Sequence, residues 1–229
     1  MRRLLRITQP SYRDRLLATG PFALWMQQEQ AGSVAYDATG RYNGAYNGVT
    51  LGQSGPDALL AAGYDGTSYT NVFSSALASA FNGNTGSALA WACVGNMSVW
   101  SDGINRRVIY VAGNTANRFS ITRSTTDNAL QLFYISGGVI KSLTWTITPN
   151  LTWHVFAISW DKNADQVCVY LDGVRSSTVF TGLGVWSATI IQADIGRLVD
   201  GQKWLGQIGP VALYDRALTA QEVASLSKI

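Results

Sequence analysis

A two-residue period constrains this chain more than any other feature. Through much of its length apolar and polar side chains alternate over short runs, and Gly, Asn or Asp interrupts one run before the next begins. Alternation of that kind puts one set of side chains on each face of a β-strand. The clear runs are 88–94, 107–111, 118–122, 130–135, 140–147, 153–160, 166–171, 190–195 and 204–213. Between them fall Gly95-Asn96, Gly113-Asn114, Asp127-Asn128, Gly137-Gly138, Pro149-Asn150, Asp172-Gly173 and Asp200-Gly201. Gly and Asn suit the positive-φ positions of tight turns. Many short strands with frequent turns predict an all-β sandwich or barrel. Helix is expected in only two places, 11–18 and 219–227. The second opens with a capping box, in which the Thr219 hydroxyl accepts from the Glu222 amide while the Glu222 side chain returns to the Thr219 amide.

A length of 229 residues suits one such domain, and eight Trp, ten Tyr and seven Phe can fill the space between two sheets. The apolar stretches are strand-sized, far short of the roughly 20 residues a membrane helix needs, so no membrane is expected as a partner. The opening Met1-Arg2-Arg3-Leu4-Leu5-Arg6 begins like a signal peptide, but Arg6, Gln9 and Pro10 interrupt any apolar core region. Synthesis and folding in the cytoplasm, without a signal peptide, are therefore expected. Two cysteines in a chain this long make no disulfide framework. Cys93 and Cys168 lie inside strand patterns and read as small buried side chains; a bridge between them needs strands that face each other.

Charge is unevenly placed. Arg2, Arg3, Arg6, Arg13 and Arg15 against Asp14 give the first fifteen residues a net +4, while the whole chain carries +3, so the remainder sums to −1. We read 1–20 as a basic arm with a short helix and 21–229 as the domain proper. The arm is either a solvated face or an element that docks on an acidic surface of a protein partner, because guanidinium groups suit carboxylates and phosphates. Nucleic acid is not the expected partner, since no base-reading motif accompanies the arginines and the rest of the domain would not attract a polyanion.

The last third of the chain carries an ordered set of motifs: Trp153-His154-Val155, Tyr170-Leu171-Asp172-Gly173, Ile195-Gly196, Gly206-Gln207-Ile208 and Tyr214-Asp215-Arg216-Ala217-Leu218-Thr219. Earlier come Leu17 to Pro21, Leu24-Trp25, Glu29, Gly32, Asp37, Tyr42-Asn43-Gly44 and Tyr64-Asp65-Gly66. In this order and spacing the chain, over roughly residues 12–228, resembles the laminin-G-like branch of the concanavalin A-like jelly rolls. The resemblance implies a β-sandwich closed by a C-terminal helix, a structural role for His154 and a buried Trp204.

Some folds of this kind are glycosidases, which need two carboxylates flanking the glycosidic bond, about 5 Å apart in the retaining mechanism. The resemblance implies that both would sit on one strand as E-x-D-x-E or E-x-D-x-x-E. This chain has only Glu29 and Glu222, far apart and without an Asp two residues on. Asp161 and Asp165 flank a hairpin and are splayed. A single histidine excludes a multi-histidine metal cage, and no G-x-S-x-G elbow or phosphate-binding loop is present. The chain is read as a non-enzyme.

What remains is binding. Trp91, Trp153 and Trp204 are assigned to the core, which leaves Trp100, Trp145 and Trp186, near strand ends or turns, as candidates to stack on a sugar. Asp102, Asp127, Asp194 and Asp200, with Asn128, are candidate oxygen ligands for calcium, but no EF-hand spacing gathers them, and turn aspartates often serve their own backbone. No other cofactor is expected. Two settings follow. One is a bacteriophage virion structural protein, a capsid decoration, head-fibre or tail component on the virion surface, held through Arg2, Arg3, Arg6, Arg13 and Arg15 and displaying a lectin-like jelly roll to a host-surface glycan. The other is a carbohydrate-binding lectin-like module of cellular origin. Homo-oligomerisation is open in either.

Overall fold

The computed structural model describes residues 10–198 and 201–229. Helix α1 (Tyr12–Ala18) leads into six short strands: β1 (Ala23–Trp25), β2 (Val34–Ala35), β3 (Gly44–Asn47), β4 (Thr50–Ser54), β5 (Leu60–Asp65) and β6 (Tyr69–Asn71). Helix α2 (Ser75–Ala80) follows. The remainder comprises β7 (Thr85–Val94), β8 (Arg106–Asn114), β9 (Asn117–Arg123), β10 (Ala129–Ser136), β11 (Val139–Thr146), β12 (His154–Asp161), β13 (Gln166–Leu171), β14 (Val174–Arg175), β15 (Gln192–Ile195), β16 (Leu205–Tyr214) and helix α3 (Ala220–Leu226).

These strands form two antiparallel sheets of eight. The first runs β14-β13-β12-β7-β16-β5-β4, with β1 also on β16; the second runs β11-β10-β9-β8-β15-β6-β3-β2. The two pack face to face as the β-sandwich that the alternation predicts. Each of the nine sequence runs corresponds to a strand. The period did not reveal β1 to β6, because strands of two to six residues containing Gly44, Gly52 or Gly63 are too brief to show it. It also missed α2, a single short helix of Ser and Ala capped by the Ser74 hydroxyl on the Leu77 amide, with only Leu77 buried. The expectation of two helices is thus corrected to three α-helices among the described residues.

Alternation explains what each face does. On β7, Ala88, Ala90 and Ala92 enter the core between the sheets, while Leu89 and Trp91 point outward. On β10, Leu130, Leu132 and Tyr134 enter that core, where Tyr134 and Phe119 pack on Trp160 with ring centroids 5.4 and 4.8 Å away. Gly86 makes room for the same indole: a Cβ there would stand 2.6 Å from the Trp160 ring.

The outer face of the first sheet is covered. Tyr12 and Leu16 of α1 and Val223 and Leu226 of α3 bury Leu89, Trp91, Val155, Ala157 and Tyr170. The capping box expected at α3 is formed in both directions. Helix α1 is therefore built into the domain, and the boundary expected after residue 20 does not separate it. The Arg15 guanidinium donates to the Lys228 carbonyl at 2.6 Å, fastening α1 to the end of the chain. Of the proposed docking arginines, Arg13 is exposed and Arg15 is engaged internally, whereas Arg2, Arg3 and Arg6 lie outside the described residues. Among the described residues the outer face of the second sheet has no such helical cover. It carries only a small apolar cluster, Tyr110, Ala112, Phe133 and Ile135, with Leu198 packed against it. Among the described residues no helix is long and apolar enough to cross a membrane.

Candidate functional site

The uncovered face forms a trough of about 350 Å³, within the usual size of a small-ligand site. Its floor comes from the outward positions of three neighbouring strands: Tyr110 on β8, Arg118 on β9, and Gln131, Phe133 and Ile135 on β10. Ile140 and Ser142 of β11 form one wall, and Leu198 and Gln202, from the segment between β15 and β16, form the other. Ile140 is 63% exposed, an apolar side chain presented to solvent at the rim.

Arg107 stands at one end of the trough and is 7% exposed. Its Nη2 donates to Gln202 Oε1 at 2.9 Å, and its Nη1 donates to the hydroxyls of Thr122 and, at 3.4 Å, Ser120. Both the Arg107 and Arg118 guanidiniums lie over Phe133, 5.3 and 5.9 Å from its centroid, within cation–π range. Burial lowers the Arg107 pKa to about 10, and the Arg118 charge pushes the same way. Burial raises the pKa of the Tyr110 hydroxyl, opposed by the nearby Arg118 and Arg107 charges. The trough is thus a partly apolar surface ringed by hydrogen-bond donors, and among the described residues no carboxylate lines it. It can hold a polar ligand with an apolar face; it offers no acid–base pair for hydrolysis.

The sequence did not single out Tyr110, Phe133, Arg107 or Arg118, although a signal existed. In the run Leu130-Gln131-Leu132-Phe133-Tyr134-Ile135, Phe133 and Ile135 occupy outward positions where a solvated face would carry polar residues.

The tryptophans chosen as exposed are otherwise employed. Trp100 is 3% exposed and donates to the Asn150 carbonyl at 2.7 Å. Trp186 is 6% exposed, with its ring against Phe81 and its Nε1 on the Ala188 carbonyl. Trp145 is half-buried at the rim of the main core. Near-turn position suggested exposure, but the connecting segments fold back and cover Trp100 and Trp186. None lines the trough.

The carboxylates are likewise committed. Asp102 receives Arg106 Nε at 2.6 Å and the buried Arg123 guanidinium. Asp194 is fully buried and receives Arg197 and, at 2.7 Å, Gln192 Nε2. Asp127 is exposed at a turn, and Asp200 lies outside the described residues. Among the described residues no three His, Cys, Asp or Glu side chains come together as metal ligands, so the calcium candidates do not converge. Glu29 accepts from the Tyr36 amide and, at 2.6 Å, the Tyr46 hydroxyl, while Glu222 serves the α3 cap and Arg216. His154 bridges Asp172, at 2.8 Å from Nδ1, and Asn150, at 3.2 Å from Nε2, which is a structural role. Cys93 and Cys168 are free and buried; they sit on β7 and β13 of one sheet with β12 between them, so they do not face each other.

A family model described as the concanavalin A-like lectin/glucanases superfamily matches residues 64–224, well over half of the chain. The chain belongs to this family. Solved structures agree on the fold. Domain 4 of AbnA, a GH43 extracellular arabinanase from Geobacillus stearothermophilus solved in complex with arabinotriose, superposes with a TM-score of 0.70 at 19% identity, over 91% of this chain and 98% of that one. Trypanosoma rangeli sialidase in complex with sialic acid gives 0.68 at 10% identity, over 94% of this chain and 36% of that one. The botulinum neurotoxin serotype D binding domain gives 0.64 at 11% identity, over 91% and 51%. The concanavalin A-like chain thus spans about half of the toxin domain and about a third of the sialidase. A search of curated proteins finds no match.

Proposed function

We propose that this concanavalin A-like domain is a non-catalytic carbohydrate-binding module whose ligand lies in the trough on the outer face of the second sheet. One observation carries the reading: the trough combines an apolar floor, Phe133 and Ile135, with the polar groups of Arg118, Gln131, Ser142 and Gln202, and among the described residues no carboxylate lines it. Sugars present the matching surface, an apolar ring face edged by hydroxyls. The fold it shares with an arabinanase domain, a sialidase and a toxin binding domain supports the same reading.

The setting is the second part of the proposal. The positive charge gathered in Arg2, Arg3, Arg6 and Arg13 supports attachment to an acidic surface of a larger assembly, the bacteriophage virion being the setting proposed here, with the jelly roll displayed outward. Neighbouring genes for capsid, portal or tail proteins would favour that setting over a free-standing cellular lectin.

A glycan array tests the binding claim. The wild-type domain should label a defined set of oligosaccharides, and Ser142→Trp, which places an indole in the trough, should abolish labelling while leaving the thermal midpoint unchanged. Labelling that survives Ser142→Trp would put the site elsewhere, and a blank array for the wild type would overturn the reading.

A further inference from the structure

Most of the buried or half-buried arginines of this protein have an acid to answer them. Arg106 and Arg123 share Asp102, Arg197 has Asp194, and Arg216 has Glu222. Arg107 and Arg118 differ. They stand on adjacent strands over the same Phe133 ring, and among the described residues neither has a carboxylate within ion-pair distance. The partners of Arg107 are neutral: two hydroxyls and the Gln202 amide. Among the described residues its Nε has no partner, although the side chain is more than nine-tenths buried at the end of the trough.

Burying Arg107 without a counter-charge, with the half-buried cation Arg118 nearby, is unfavourable twice over, through lost hydration and repulsion. Burial and the Arg118 charge both act on Arg107 in the direction of losing its proton. An anion seated between them would relieve both terms, and a guanidinium fork matches a carboxylate with two parallel hydrogen bonds.

We propose that the ligand of the trough is an acidic sugar, its carboxylate seated between Arg107 and Arg118 and its apolar ring face along Phe133 and Ile135. This rests on the reading of the trough as a glycan site and adds the class of glycan. The one competing counterion from the chain itself is Asp200, which lies outside the described residues, two positions before Gln202.

Calorimetric titration with matched pairs separates the outcomes. The probes are oligogalacturonate against its carboxyl-reduced form, and sialyllactose against lactose. The wild-type domain should bind at least one acid at least ten-fold more tightly than its neutral partner, and the preference should shrink as salt rises. Arg118→Gln should lose the preference with an unchanged thermal midpoint, and Arg118→Lys should recover part of it. Equal affinity for acid and neutral partners would overturn the acidic-sugar inference and leave the glycan reading standing; no binding of any sugar would overturn both. Acid binding that appears only in Asp200→Asn would show that the arginines serve the chain's own carboxylate, and would also overturn the inference.

Discussion

The Trp91 indole donates to the Tyr12 hydroxyl at 2.7 Å, and that hydroxyl donates onward to the Leu226 carbonyl at 2.6 Å. One phenol therefore joins the first helix, a central strand and the last helix, and burial raises its pKa well above the ordinary value. This relay helps to close the outer face of the first sheet, and among the described residues the second sheet has no such cover.

Tyr12→Phe should destabilise the domain by about 1–3 kcal/mol in a denaturant titration, because Trp91 Nε1 and the Leu226 carbonyl are left without their partner. Removing residues 1–15 should lower the thermal midpoint strongly, by about 3–5 kcal/mol of stability, since it deletes the buried Tyr12 side chain together with the Arg15 contacts. An unchanged midpoint after that truncation would show that α1 is dispensable. Tests of assembly should therefore change Arg2, Arg3 and Arg6 to Ser and keep Tyr12.

How much of this was legible in the sequence depends on the element. The long strands announced themselves by alternation, and the Thr219–Glu222 box by its three-residue spacing. Position near a turn was a poor guide to exposure for Trp100 and Trp186, because burial there is set by segments remote in sequence, such as Asn84, which holds both the amide and the carbonyl of Trp186. The trough was hidden for the same reason. Arg107 and Arg118 both reach Phe133 only because β8, β9 and β10 pair antiparallel, and the Gln202 wall comes from far along the chain.

His154 and Asp172 link two motifs of the last third, Trp153-His154-Val155 and Tyr170-Leu171-Asp172-Gly173. The Asp172 carboxylate accepts from the Val155 amide at 2.9 Å as well as contacting His154, and its backbone has a φ of 51°. Asp172→Asn should cost less than Asp172→Ala, with the alanine variant losing about 1–2 kcal/mol, because Asn tolerates the left-handed conformation and keeps one acceptor. Equal losses in thermal melts would mean that the carboxylate contacts are inert.

Acid should loosen the C-terminal closure. The Arg216 guanidinium, with help from the Thr219 amide and hydroxyl, holds the Glu222 carboxyl down to about 2. A carboxyl with a lowered folded-state pKa stabilises the fold above its unfolded pKa, and that contribution fades as pH falls from about 4.5 toward 2. The side chain is partly exposed, so the contribution is about 1 kcal/mol after screening. Glu222→Gln should flatten the pH dependence over that window, which chemical denaturation at stepped pH measures directly.

Catalysis should be absent. Neither wild type nor Glu29→Gln should release reducing sugar from a polysaccharide panel, and Glu29→Gln should cost about 1–2 kcal/mol of stability, because its carboxylate holds the Tyr46 hydroxyl. Turnover that disappeared in Glu29→Gln would contradict the non-catalytic reading.

The central claim is where a sugar binds. Amide chemical shifts of the labelled domain, followed during titration with an oligosaccharide selected on the array, locate the contact surface without any substitution. The account predicts that perturbations gather at 118–120, 131–135, 140–142 and 202, on one face of the second sheet. Perturbations centred instead on 82–84 and 186–189, which line a separate recess of about 490 Å³, or on the α1–α3 face, would contradict it.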